Sequence, residues 1–467
     1  MKKGIILFLF IGSSFFAESA RIASDTIQRG DTTTLAHYFR KGKFYGHSRY
    51  FFMATENAPG QSDYFANAFG LGIGYETPRF EGFSIGMSGY FIYNIGSSDL
   101  ATIDSVSGQP NRYEVGLFDI ENPNNHADLD RLEDLYLRFG NDLSFIRVGK
   151  QHYSSPFINP QDGRMRPTLV EGIFSEWNEW KNWKFHSSFL WDISPRSTVK
   201  WYGIGESIGV YPCGVNPDGT KSEYSGNVDS EWLVIGGVQR QIRNSLRIQI
   251  WNQFVENVFN TALFQVDWNP RFKKDSPMYL VAGTQFVKQN TLNHGGNEML
   301  SKTYAQPGAQ ARVYGFRLGL ENKKHWNASL NFTRIGGEDR YLMPREWGRD
   351  PFYTFMPRER NEGYGNVKAV NAQFGIFAFK EKLRLDFAAG RYILPDVKNT
   401  ELSKYGIPSY DQVNFDIRVR PEGYLHGLTF QLLIVHKRRV GEVYDAMRFV
   451  HNKVDVTHCN LVVNYHF

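Results

Sequence analysis

The sequence predicts an all-β protein, a transmembrane antiparallel β-barrel of about 18 strands with long extracellular loops and short periplasmic turns. Three observations predict it. Apolar and polar residues alternate with period two in many segments, the joints between segments alternate short with long, and the final CNLVVNYHF (459–467) keeps its alternation to the last residue. Period two marks a strand whose faces meet different surroundings. A strand ending on an aromatic residue needs something to hold it, because free ends fray.

The opening MKKGIILFLFIGSSFFAESA has a basic start, an apolar run and small residues beyond it. That is the pattern of a secretory signal, here assigned to residues 1–20, with cleavage near Ala17 or Ala20. Its apolar run is too short to cross a bilayer as a helix. Residues 21–467 are expected to form one barrel domain. Their mean hydropathy belongs to a chain at −0.43 overall, and 25 tyrosines, 37 phenylalanines and 44 glycines favour strands and tight turns. With 53 basic against 48 acidic residues, no basic footprint calls for nucleic acid. Only Cys213 and Cys459 are present, and one bridge cannot staple a chain of this length. Cys459 sits in an apolar column and reads as a small hydrophobe.

In GFSIGMSGYFIYN the column Phe83, Ile85, Met87, Gly89, Phe91, Tyr93 alternates with Ser84, Gly86 and Ser88. SLRIQIWNQF sets Leu246, Ile248, Ile250 and Phe254 against Arg247, Gln249, Trp251 and Gln253. QVNFDIRVR repeats the pattern with Val413, Phe415, Ile417 and Val419. One greasy face and one polar face suit lipid outside and water inside. Lipid offers no partner to an open sheet edge, so such strands must close into a ring. The runs extend from His47 to Phe467.

The joints are tight at 77–82, 241–244, 321–326 and 421–426, and long at 94–130, 151–170, 194–230, 288–310, 335–366 and 394–411. Short periplasmic turns opposite long outer loops follow from this rhythm. An even strand count leaves both ends in the periplasm, where the last strand can zip against the first. A secreted β-sandwich or lectin array would explain the alternation but not the rhythm.

A barrel of this size encloses water unless loops fold inward. The stretch GKQHYSSPFINPQDGRMRPTLVEG (149–172) is stiffened by Pro156, Pro160 and Pro167 and carries Asp162, Arg164 and Arg166. Fixed charge in a narrow passage selects ions; the same charges on an outer loop would simply be solvated, and spacing leaves both readings open. Arg138, Arg147, Arg247, Arg317, Arg384, Arg418 and Arg420 all fall opposite an apolar column. That is where they must fall, since arginine on the lipid side at mid-membrane costs roughly 2 to 4 kcal/mol. Adjacent strands would gather Arg384, Arg418 and Arg420 near the periplasmic end, as an anion guide or as ordinary lining.

The chain resembles the OprD-like family of outer-membrane porins, substrate-specific channels of Gram-negative bacteria. GKQ (149–151), SPFIN (155–159), DGRMRPTLVEG (162–172), GKFYGHSRYFF (42–52), REWGRDPFYTF (345–355) and the terminal Phe467 carry the resemblance. It implies an eighteen-strand barrel narrowed by its third and seventh outer loops, with a ladder of wall arginines guiding small polar or charged solutes by diffusion. By position it puts the constriction on Ser154, Ser155, Asp162, Arg164 and Arg166, and on Arg345, Arg349 and Asp350. Asp162 stands where the family commonly has glycine, and Arg166 adds a second base, so the inherited preference need not carry over. Outer-membrane lipid, lipopolysaccharide and a small solute are the expected partners, as monomer or homotrimer, with no cofactor or metal.

The alternative is a barrel with a structural, adhesive or hydrolase role. Hydrolysis needs a positioned nucleophile and base. No H-E-x-x-H, C-x-x-C or P-loop occurs, and His126 and His294 sit in loops.

Overall fold

Strands that alternate in polarity and lack a partner at the sheet edge have one stable solution in lipid, which is closure. The computed structural model describes residues 35–161, 163–273 and 276–467. Strands β1–β7 run over Lys43–Glu56, Tyr64–Glu76, Phe83–Ser97, Arg131–Gly140, Ser144–Gln151, Leu169–Trp177 and Trp183–Ser194. The two-residue β8, Tyr202–Gly203, only flanks the outer end of β7. Strands β9–β19 follow over Leu233–Ile242, Leu246–Val255, Phe259–Trp268, Met278–Thr291, Gln310–Asn322, Trp326–Ile335, Lys368–Ala378, Leu383–Ile393, Tyr410–Val419, Leu428–Arg439 and Val456–His466. Of the 19 strands among the described residues, all but β8 build the wall, each antiparallel to its neighbours. Pairing of β7 with β9 and of β1 with β19 closes the ring. The signal segment, residues 1–20, lies outside the described residues.

The columns face as their chemistry requires. Phe83, Ile85, Met87, Phe91 and Tyr93 lie exposed on the outer surface, whereas Ser84 and Ser88 are buried on the lumen side. In β19, Leu461 and Tyr465 face outward and His458, Asn460 and Asn464 face inward. Cys459 belongs to the outward column, and both cysteines are free.

Phe467 completes the seam. Its amide donates to the Gly46 carbonyl (3.1 Å) and its carbonyl accepts the Gly46 amide (2.8 Å). The phenyl ring occupies the space beside Gly46, so a β-carbon there would stand 2.1 Å from it. Gly46→Val should therefore expel the ring and weaken closure, as should Phe467→Asp, because burying such a side chain contributes roughly 1.5 to 3 kcal/mol. Membrane yields of heat-modifiable barrel should fall several-fold for both and stay near wild type for His466→Ala. Equal yields would contradict this seam.

The inner turns span 77–82, 141–143, 178–182, 243–245, 269–277, 323–325, 379–382 and 420–427. The long outer loops span 98–130, 152–168, 195–232, 292–309, 336–367, 394–409 and 440–455. Four details differ from the sequence reading. Strand β1 begins at Lys43 rather than His47, and β12 continues to Thr291, shortening the loop expected at 288–310. Residues 256–258 form a tight outer link, and 440–455 form a further long loop. Ladder bonds carry a strand past the point where its alternation fades, which explains the extended ends.

The buried apolar core is largely made by loops. Phe157, Ile158, Ile204, Ile208, Tyr341 and Trp347 belong to one cluster that packs against inward residues of the wall. A second cluster sets Val115, Leu117 and Met165 on Phe51, Met53 and Tyr90. Loop residues fill part of the lumen that eighteen strands would otherwise leave to water.

Candidate functional site

The third outer loop, 152–168, enters the lumen because its apolar residues have partners there. Phe157 and Ile158 are fully buried. The Ser155 hydroxyl accepts the amides of Phe157 (3.2 Å) and Ile158 (3.0 Å), fixing the turn that delivers them. Ser155 is thus a buried staple and not a pore-facing group, while Ser154 beside it is exposed. Asn159 then clasps the seventh outer loop. Its amide donates to Trp347 O (3.0 Å), its Nδ2 to Arg349 O (3.0 Å), and its Oδ1 accepts the Arg349 amide (3.2 Å). Gly348 permits this approach: its φ is +141°, and a β-carbon would lie 2.7 Å from Asn159 Oδ1. That accounts for the pairing of SPFIN with REWGRD.

The short 3-10 turn Arg345–Trp347 ties in the fourth outer loop. Glu346 Oε1 accepts the amides of Gly209 (3.1 Å) and Tyr211 (2.8 Å), and the Trp347 indole donates to Ser207 Oγ (2.9 Å). The second outer loop adds a fourth element, since Ser197 Oγ donates to Gly116 O (2.6 Å) and the Arg164 guanidinium lies against Gly116. Four outer loops, the second, third, fourth and seventh, are thus bonded to one another.

Its charges sort into those that are cancelled and those that are not. Arg166 is cancelled: it donates to both oxygens of Glu133 and lies over the Tyr90 ring. Arg345 is buried among the loops, 3.5 Å from Glu362 and donating to Pro212 O. Asp350 is 2% exposed and accepts the Asn361 amide, and burial raises its pKa. These three are held by partners within the packed loops and strand β4. Arg349 is exposed and lies over the Phe355 ring. Asp162 lies outside the described residues.

Arg164, Arg196 and Arg358 form no ion pair among the described residues, and their guanidiniums repel one another across the gap. Burial, followed by this repulsion, pulls Arg164 and Arg196 down to about 10. Arg49 of β1 donates to Arg164 O (2.7 Å), and Arg358 reaches the wall at Asn460 Oδ1 (3.1 Å). Lys437 holds Arg358 O. Two carboxyls stand nearby, Glu114 bonded to Thr55 and Asn111, and Glu359 bonded to the Met356 amide. Burial raises both, Glu359 well above the usual carboxylate range. Tyr113 reports the balance. Burial would raise its phenol, yet Arg112, Lys437, Arg358 and Arg164 together hold it below its ordinary value.

The wall arginines are mostly neutralised or stacked. Arg247 pairs with Asp267 (3.3 Å), Arg384 with Asp386 (2.6 Å) and Arg418 with Asp416 (2.7 Å). Arg317 bonds Asn331 and stacks on Tyr353 of the seventh loop. Arg138 lies over Phe145, and Arg147 over Tyr136 and Phe145. Arg384 and Arg418 do face each other across the ladder, each with its own aspartate, while Arg420 sits in the turn beyond. At the periplasmic end Arg384 and Arg418 are therefore each paired with an aspartate of their own strand.

Sequence reasoning missed Arg196 in SPRS and Arg358 in PRER, because neither loop shows a period. It also passed over GFSIG (82–86), which spells G-x-S-x-G. That motif serves catalysis on a strand-to-helix elbow, whereas Ser84 lies inside β3, with its hydroxyl 3.5 Å from Glu76. No group of three or more metal-ligating side chains occurs among the described residues.

A comparison with curated proteins finds no match. The fold is similar to that of Acinetobacter baumannii OccAB3, at 15% identity and a TM-score of 0.70, covering 92% of this chain and 99% of that one. It is likewise similar to Pseudomonas aeruginosa OccK8 (OprE), at 13% identity and 0.69, with the same coverage. Pseudomonas aeruginosa OpdK with vanillate is similar at 11% identity and 0.68, again over 92% and 99% of the two chains. The model of the outer membrane porin, OprD family, matches residues 120–330, from the second outer loop through β14. Over residues 120–330 the chain thus matches the OprD family of outer membrane porins, and its closed barrel with a loop-filled lumen has the fold of the solved Occ porins.

Proposed function

We propose that this porin passes small anionic solutes, carboxylates above all, and that Arg164, Arg196 and Arg358 are its filter. The observation that carries the reading is the convergence of these three guanidiniums from three outer loops with no ion pair among the described residues, beside two buried carboxyls whose pKa burial raises. A narrow passage screens poorly, so such charges act strongly on a solute. Planar guanidiniums also match the fork of a carboxylate. Vanillate, which accompanies OpdK, is an aromatic carboxylate. Asp162 is the counter-charge in this scheme, since the sequence sets it between Gln161, which bonds Arg196, and Arg164. Ser154 and Arg349 form the exposed rim. Residues 1–20 act as the cleaved signal for the 21–467 barrel, whose outer rim sits in lipopolysaccharide.

Proteoliposome uptake at low ionic strength, where screening is weak, tests this with three solutes of one shape. Benzoate should enter faster than benzamide, and benzamide faster than benzylammonium. Entry of benzylammonium at or above the rate of benzoate would refute the proposal.

A further inference from the structure

The lipid-facing wall is uneven on one flank. Across β11–β16 the small residues Ala282, Ala328 and Ala372 interrupt the bulky outward columns. They floor two adjoining grooves of about 500 Å³ and about 340 Å³. The grooves share Leu318 and Leu330, with Trp268 at one margin and Phe374 at the other. Register places Trp268, Ala282, Leu318, Leu330 and Ala372 in one row. Leu318 stands four residues from Asn322, the end of β13, or roughly 14 Å at 3.4 Å per residue. The grooves thus lie in the periplasmic half of the membrane band.

The turns directly beneath, 269–277, 323–325 and 379–382, are basic. Lys273, Lys324 and Lys380 are exposed there, and exposed Arg271 and Lys323 stack on Tyr279. Glu381 stands against them, while Lys382 is bonded to Glu422. The turns at 77–82, 141–143, 178–182 and 243–245 are balanced, with Arg79, Lys181 and Arg243 against Glu81, Asp142 and Glu179. Groove and basic rim therefore coincide on one side only. Phe272 and Phe379 stand exposed beside the cations, as side chains at a headgroup boundary do.

We propose that this flank binds an anionic phospholipid of the periplasmic leaflet, with its phosphate among the turn lysines and an acyl chain in the grooves. Charge favours an anionic headgroup over a zwitterionic one. A second copy of the chain suits the flank less well, because a two-fold contact would bring the same cations together.

The test is native mass spectrometry of the delipidated porin in detergent, titrated with phosphatidylglycerol or phosphatidylethanolamine of equal chain length. Wild type should retain phosphatidylglycerol with a preference of roughly tenfold. Replacing Lys273, Lys324 and Lys380 together by alanine should erase the preference. Ala282→Phe with Ala328→Phe should lower binding of both lipids while the barrel stays heat-modifiable. Alanine at Arg79, Lys181 and Arg243 should change nothing. Equal binding of the two lipids by wild type overturns the proposal, as does a triple-lysine variant that keeps its preference. Lipid-free oligomers lost on filling the grooves would also overturn it, assigning the flank to a second copy.

Discussion

Trp347→Ala should leave a folded barrel with a wider and noisier pore. The indole is fully buried where the third, fourth and seventh outer loops meet, and it donates to Ser207 Oγ. Truncation of a buried tryptophan costs about 3 to 5 kcal/mol, and the lost hydrogen bond adds about 1 kcal/mol. No ladder bond of the wall passes through residue 347, so the cost falls on the loops alone. Single-channel recordings should show higher conductance with more flicker, and limited proteolysis should cut the loops faster. Heat-dependent migration should persist. Wild-type conductance would mean that the loops hold their places by contacts other than this one.

Removing Arg164 and Arg358 together should cost the channel most of its anion preference. The two guanidiniums come from different loops, repel each other and have no ion pair among the described residues. With no direct counter-ion they dominate the local field, and the anion-to-cation permeability ratio should fall roughly threefold or more. Arg384→Ala and Arg418→Ala are the informative comparison, because each of those arginines already pairs with an aspartate. Their effect on reversal potential under a salt gradient should be smaller. Arg166→Ala should also act weakly on selectivity, since Glu133 keeps Arg131 at 3.3 Å. A reversal potential moved more by the wall arginines than by the eyelet pair would place the filter in the wall.

The wall was legible because period two lets each residue declare its own face, and neighbours share the rule. Phe83 through Tyr93 and the CNLVVNYHF seam needed no knowledge of distant residues. The pairing of wall charges was legible too, had parity been applied to acids. Asp386 lies two residues from Arg384, and Asp416 two from Arg418, so each pair must share a face. The constriction was harder for a physical reason. SPFIN and REWGRD clasp each other across about half the chain, and loops carry no period to announce such contacts. Arg166 looked like a filter charge from its neighbours in sequence, but its partner Glu133 belongs to strand β4, outside the loop. Arg196 and Arg358 acquire a role only once four loops converge.

The central claim is that an anion rests among Arg164, Arg196 and Arg358 on its way through. Crystals of the porin soaked in 4-bromobenzoate would test it directly by anomalous scattering from the bromine. The account predicts bromine density in the eyelet, with the carboxylate turned toward those three guanidiniums, and loss of that density in the Arg164→Ala, Arg358→Ala double variant. Density confined to the wall at Arg384 and Arg418, or density in the eyelet that survives in the double variant, would contradict it.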